Sequence, residues 1–112
     1  MQTIAELPEF QRRADKLLSA SDRQLLIDHL AFQPKAGDLI RGTGGIRKLR
    51  WKREGQGKRG GVRVIYYYYD DTLPLYLLTV FAKGETENLT KAELNELAKL
   101  TKALVAYWKK RR

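Results

Sequence analysis

Between Arg47 and Arg63 the chain reads RKLRWKREGQGKRGGVR, in which eight of seventeen residues are Lys or Arg and Glu54 is the one acid. The stretch holds +7 of the chain's formal +9. Its ends alternate apolar and basic residues with the period of a β-strand, and Gly55 to Gly61 reads as a glycine-rich turn. Successive strand residues point to opposite faces. Lys48, Arg50 and Lys52 therefore share one face, and Leu49 and Trp51 the other. On the return strand Arg63 faces away from Val62 and Val64. Packing Leu49 and Trp51 beside Val62 and Val64 sends Arg63 to the face of Lys48 and Arg50. That requires paired residue numbers to sum to an odd value, as in Arg50 opposite Arg63. Like charges directly opposite one another destabilise a sheet, so such a row implies an anion to occupy it.

The chemistry available to this row is phosphate chemistry. Arginine keeps its proton, and its planar fork fits two phosphate oxygens at once. A lysine crowded by other cations has a lowered pKa, so its neutral amine can act as a base. An RNA strand brings its own nucleophile, the 2′-hydroxyl. Its attack on the neighbouring phosphate needs a base, charge stabilisation of a phosphorane and an acid for the leaving 5′-oxygen, and cations can assist all three steps. A basic surface taken alone signals nucleic-acid binding before cleavage. Arg47, Lys52, Arg53, Lys58 and Arg59 are the further candidate RNA contacts, with Tyr67 as a candidate stacking ring. No carboxylate pair, metal-ligand cluster or Ser-His-Asp arrangement stands out, and no metal or cofactor is expected. His29, the one histidine, reads as a polar edge residue of a helix.

The elements that must position these residues follow from composition and periodicity. At 112 residues, 43% of them hydrophobic and 31% charged, the expectation is one globular domain spanning 1–112. Cysteine is absent, which removes disulfides and thiolate chemistry. The opening MQTIAELPEF lacks the charged-then-apolar layout of a signal peptide, and the apolar run from Leu73 to Ala82 is too short to span a membrane. A soluble, cytoplasmic protein is expected, and a pI near 9.9 points to nucleic acid as partner.

Residues 1 to 6 read as a short strand. Pro8 opens a helix that carries Phe10, Ala14, Leu17 and Leu18. A second helix starts near Ser21, paired with Gln24 as a capping box; it buries Leu25, Leu26 and Leu30 and stops before Pro34. Residues 34 to 45, PKAGDLIRGTGG, read as a flexible lead-in to the hairpin. Val64 to Tyr69 and Leu75 to Ala82 are strands, the latter apolar throughout and so central and covered on both faces. Asp70-Asp71 marks a turn. Tyr66 and Tyr68 share the core-facing parity of Val64, and Tyr67 and Tyr69 that of Arg63. The last helix is capped by Thr90 and Glu93, stapled by Leu89 and Leu94, and repeats Leu94, Leu97, Thr101, Leu104 and Trp108 on one face. Its basic end, Lys109 to Arg112, suits the helix dipole. The architecture is α+β: two N-terminal helices, a three- or four-stranded, largely antiparallel sheet and a C-terminal helix packed back on it. Lys48, Arg50, Arg63 and Lys83 converge on one open surface.

GDLIRGTGGIRKLRWKREGQGKRGGVRVIYYYYDD followed by LYLLTVFAKGETENLT resembles the HigB-type toxins of the RelE/ParE superfamily, the toxins of bacterial type II toxin–antitoxin systems. The similarity covers residues 37 to about 100, and the N-terminal helices in layout only. The resemblance implies a RelE-like fold and a metal-independent endoribonuclease, an mRNA interferase that cuts mRNA in the A site of the 70S ribosome by 2′-hydroxyl attack. By position it implies Lys48 as general base. Arg50 stands where RelE has a lysine that stabilises the transition state. Arg63 matches the arginine that holds the scissile phosphate, and Lys83 falls where RelE has an arginine that protonates the leaving group. RelE's catalytic tyrosine has no counterpart; its place falls near Leu89. The implied partner is a HigA-like helix-turn-helix antitoxin. Two other functions stay open: a non-enzymatic RNA- or ribosome-binding protein, and a ParE-like inhibitor of DNA gyrase.

Overall fold

Alternation in two basic-apolar segments produces two paired strands, and the rest of the fold covers their apolar face. A computed structural model describes residues 1–53, 61–84 and 89–111. In chain order the elements are β1 (Ile4–Glu6), α1 (Pro8–Leu17), α2 (Ala20–Phe32), β2 (Asp38–Leu39), β3 (Ile46–Trp51), β4 (Val62–Tyr67), β5 (Leu75–Ala82) and α3 (Lys91–Lys110). Among the described residues the strands form one sheet ordered β1-β5-β4-β3-β2. All neighbours are antiparallel except β1 and β5, which run parallel. The α+β class holds, with five strands rather than three or four. The additional strand is β2, hidden in the connector: Asp38 pairs with Lys48 and Leu39 with Arg47.

The β3–β4 register is the one that burial of the apolar residues demands. Trp51 lies opposite Val62, Leu49 opposite Val64 and Arg50 opposite Arg63. The apolar side packs on α1 and α2, where Val62, Val64 and Tyr66 join Phe10, Ala14, Leu26 and Leu30 in one buried cluster. The other side carries a second cluster, Ile46, Ile65, Tyr67, Tyr76, Leu78 and Phe81, with Leu89, Leu97, Leu104 and Val105 leaning on it from α3 and its approach. β5 is buried along nearly its whole length because helices cover both of its faces. A bulge lets it do so: Ile65 pairs with Thr79 and Tyr66 with Leu77, and the extra residue, Leu78, turns toward α3.

Local signals set most helix ends. Thr90 accepts from the Glu93 backbone N–H at 3.1 Å while Glu93 Oε1 accepts from the Thr90 N–H at 2.8 Å. The backbone bond holds the Glu93 carboxylate below its usual range. α2 begins two residues earlier than Ser21 implied, because Ser19 accepts from the Asp22 N–H at 3.1 Å and is the N-cap. Leu25 is also half exposed rather than buried; Leu26 and Leu30 supply the inward face. Arg23 bonds Glu6 at 2.8 Å and Asp15 at 2.7 Å, tying α2 to β1 and α1.

The connector is built rather than slack. The Tyr66 hydroxyl, fully buried, accepts from the Gly37 N–H at 2.8 Å and donates to the Pro34 carbonyl at 2.8 Å. A Cβ at residue 37 would lie 2.9 Å from the Tyr66 ring and 3.0 Å from the Lys48 carbonyl, so only glycine admits this approach. Thr43, buried in the turn, donates to the Ile40 carbonyl at 2.6 Å and accepts from the Ile46 N–H at 3.2 Å. Burial pushes the Tyr66 phenol above its ordinary pKa; the unfolded chain therefore releases this proton first, and its stabilising contribution, complete below about pH 10, is lost above it. Tyr66→Phe is expected to lower stability by about 1–3 kcal/mol and to flatten the alkaline decline. Urea melts at neutral pH and above pH 10 check both.

Candidate functional site

On the α3 side of the sheet the residues stand in rows across the strands. One row runs Phe81, Arg63, Arg50, and the next Thr79, Ile65, Lys48, Asp38. Directly opposed residues bring their Cβ atoms to about 4.5–5.5 Å, so Arg50 and Arg63 are immediate neighbours and Lys48 lies one step along the same face. Arg50 is exposed, and Lys48 and Arg63 are half-buried. The apolar cluster under α3 takes in Ile46, Ile65, Tyr67 and Phe81 and none of these three cations. Among the described residues α3 covers the apolar part of the face, while Arg50 stays exposed and Lys48 and Arg63 half-exposed.

Lys83 follows the end of β5. Its backbone N–H donates to the Gly61 carbonyl at 3.2 Å and it is exposed. That pairing continues the row spacing by one step past Arg63, at the mouth of the β3–β4 connection. Lys52 is exposed just beyond β3. Lys58 and Arg59 lie outside the described residues, as does most of the glycine-rich turn and Arg112.

Three of the sequence-derived contacts are committed elsewhere. Arg47 has odd parity in β3 and points to the α1–α2 side, where its guanidinium donates to the Gly37 carbonyl at 2.8 Å and the Lys35 carbonyl at 3.3 Å. It clamps the connector rather than joining the cationic row. Arg53 donates to the Leu17 carbonyl at 3.2 Å and pins the end of β3 to the end of α1. Tyr67 does have the parity of Arg63, but it is 4% exposed, in the cluster beneath α3. Burial raises its phenol pKa, and no ring face is left for a base. Leu89 leans on the same cluster. His29 packs against Trp51 with ring centroids 5.2 Å apart, a spacer between α2 and β3.

Asp38 was not among the expected residues, and it brings a carboxylate directly across from Lys48. Opposite charges paired across strands attract, so this register favours a charged Lys48 at the edge of the row. The visible signal was the acid ten residues before the lysine, but a two-residue strand has no periodicity to place it. Among the described residues no group of three or more His, Asp or Glu side chains could hold a metal ion, and no helix is long and apolar enough to cross a membrane.

Over residues 9–111 the chain matches the family described as the RelE toxin of the RelE/RelB toxin–antitoxin system. Among solved structures it is similar to E. coli toxin RelE, an arginine-to-alanine double mutant in the free state. The match has 17% sequence identity and a TM-score of 0.59, and it covers 85% of this chain and 95% of that one. At that identity the likeness is one of fold.

The opposed arginines carry a stability cost that ought to be measurable. Arg50→Thr should raise stability by roughly 0.2–1 kcal/mol at low salt, and the gain should shrink as salt screens the pair. Urea melts of both proteins at low and high ionic strength test this; an Arg50→Thr protein less stable than wild type at low salt would show that the pair is not repulsive.

Proposed function

The chain belongs to the RelE toxin family, and from that premise we propose that it is a ribosome-dependent mRNA endonuclease of HigB type. The observation that carries the reading is Arg50 directly opposite Arg63, with Lys48 on the same face of the sheet. Neighbouring cations that repel one another in the free protein are stabilised together by a phosphodiester placed between them.

The proposed reaction needs no covalent enzyme intermediate. The 2′-oxygen attacks the adjacent phosphorus, the P–O5′ bond breaks, and the products are a 2′,3′-cyclic phosphate and a 5′-hydroxyl. Lys48, paired across the strands with Asp38, takes the 2′-hydroxyl proton. Arg63 and Arg50 hold the non-bridging oxygens and stabilise the added charge as the phosphorane forms. Lys83, at the end of the same row, returns a proton to the leaving 5′-oxygen. The mRNA is presented in the A site of the 70S ribosome in the cytoplasm, and a HigA-like helix-turn-helix antitoxin neutralises the toxin between uses.

Mapping of mRNA 5′ ends in cells briefly expressing the protein tests the reading. Cuts within translated frames are expected, lost when translation is blocked and reduced at least a hundredfold by Arg63→Ala, which removes one charge-stabilising donor of the kind worth about 10²–10³ in rate. The Arg63→Ala protein should remain folded, since the arginine is half-exposed and its neighbours Val62 and Val64 supply the buried contacts of the strand. Intact transcripts in arrested cells would overturn the nuclease; a DNA-damage response without mRNA cuts would indicate gyrase inhibition instead.

A further inference from the structure

The last turn of α3 and the end of β4 gather aromatic rings and cations at the end of the sheet away from Arg63. Trp108 Nε1 donates to the Tyr76 hydroxyl at 2.6 Å, which anchors the helix end to the sheet. Tyr107 meets Trp108 edge-on, with centroids 5.9 Å apart and planes at 87°. The Arg111 guanidinium carbon lies 4.6 Å from the Tyr107 ring centroid, and Lys109 Nζ lies 5.6 Å from that of Tyr69. Tyr107 is 50% exposed and Tyr69 40%. Arg41, also exposed, sits in the turn whose Gly45 abuts the Tyr67 ring. The nearby acids are engaged within their own turn: Asp71 accepts from the Tyr68 hydroxyl at 2.7 Å, and Asp70 from Thr72 N and Oγ1 at 2.8 and 2.5 Å.

A helix end that needed only solvation would carry the cations without the rings. Here two tyrosine rings are kept at the surface, each with a cation against it, and one is braced by an anchored tryptophan. Half-exposed rings, each with a cation over it that can meet a phosphate, are the parts of a stacking platform. An acidic peptide would use the cations but leave the ring faces idle, and a duplex offers no free base faces. We propose that Tyr107, Tyr69, Lys109 and Arg111 form a second RNA site, separate from the cationic row, which binds single-stranded RNA by stacking. From Arg63 to Tyr69 the strand direction spans about 20 Å, so a strand leaving the cationic row can reach the platform. The platform's contacts do not depend on cleavage at Arg63.

The test is fluorescence-anisotropy binding of a short labelled 2′-O-methyl oligouridylate, which cannot be cut because its nucleophile is blocked. Tyr107→Ala should weaken binding about tenfold, the loss of one stacked base, while Tyr107→Trp retains it. The exposed changes Lys109→Ala and Arg111→Ala should each lower the slope of log affinity against log salt by about 0.7. Arg63→Ala should leave the tenfold Tyr107 increment intact. Affinity unchanged by Tyr107→Ala in a protein with wild-type circular dichroism would overturn the platform. So would displacement of the RNA by oligoglutamate with no dependence on Tyr107, which would reassign the patch to an acidic peptide. Should Tyr107→Ala unfold, unchanged salt slopes in the two cation variants would overturn it alone. Tyr107-dependent binding in a protein that cuts no mRNA would leave the platform standing while removing the nuclease.

Discussion

Everything on the functional face depends on burial at its back. Leu49, Trp51, Val62 and Val64 pack toward α1 and α2, and because side chains alternate, their burial sends Lys48, Arg50 and Arg63 to the opposite face. The balance of magnitudes is one-sided. Each large apolar side chain contributes about 1.5–3 kcal/mol when fully buried, and the four together outweigh the opposed arginines' repulsion of roughly 0.2–1 kcal/mol, even after allowing for the partial exposure of Leu49 and Trp51. The protein therefore holds a repulsive pair at one fixed spacing without any bond between its members.

The same parity shows what could be read from the chain and what could not. The Arg50–Arg63 register, the capping box at Thr90 and the inward face of α3 are local consequences of residue order, and each was legible. Arg47 was legible too, since it has the parity of Leu49, but counting it with the charge of its neighbours obscured that. Tyr67 was not: parity puts it on the face of Arg63, and only the docking of α3 decides that this part of the face is covered. β2 has two residues and no pattern, so Asp38 beside Lys48 emerges only when the connector is folded. The bulge at Leu78 likewise leaves no mark in a run whose residues, Thr79 apart, are apolar on both faces.

The glycine-bearing connector shows how a nominal loop becomes part of the site. Tyr66 and Arg47 reach it from the back of β4 and β3 and together bond Pro34, Lys35 and Gly37. These bonds hold residues 34–37 against the sheet, and Asp38 then falls into register with Lys48. Asp38 thus owes its place to polar groups buried on the opposite side of the sheet.

The placement of α3 follows from the same cations. Its apolar stripe requires an apolar floor, and the floor available on this face is Ile46, Ile65, Tyr67, Tyr76, Leu78 and Phe81. Extending it over Arg50 and Arg63 would strip water from two charged groups with no counter-charge in the helix's apolar face, and burying unpaired charge costs more than that stripe could recover. The helix instead starts beside Phe81 and finishes at Tyr76, where the Trp108 indole finds its acceptor. The cations of the row therefore also set where the helix stops covering the sheet.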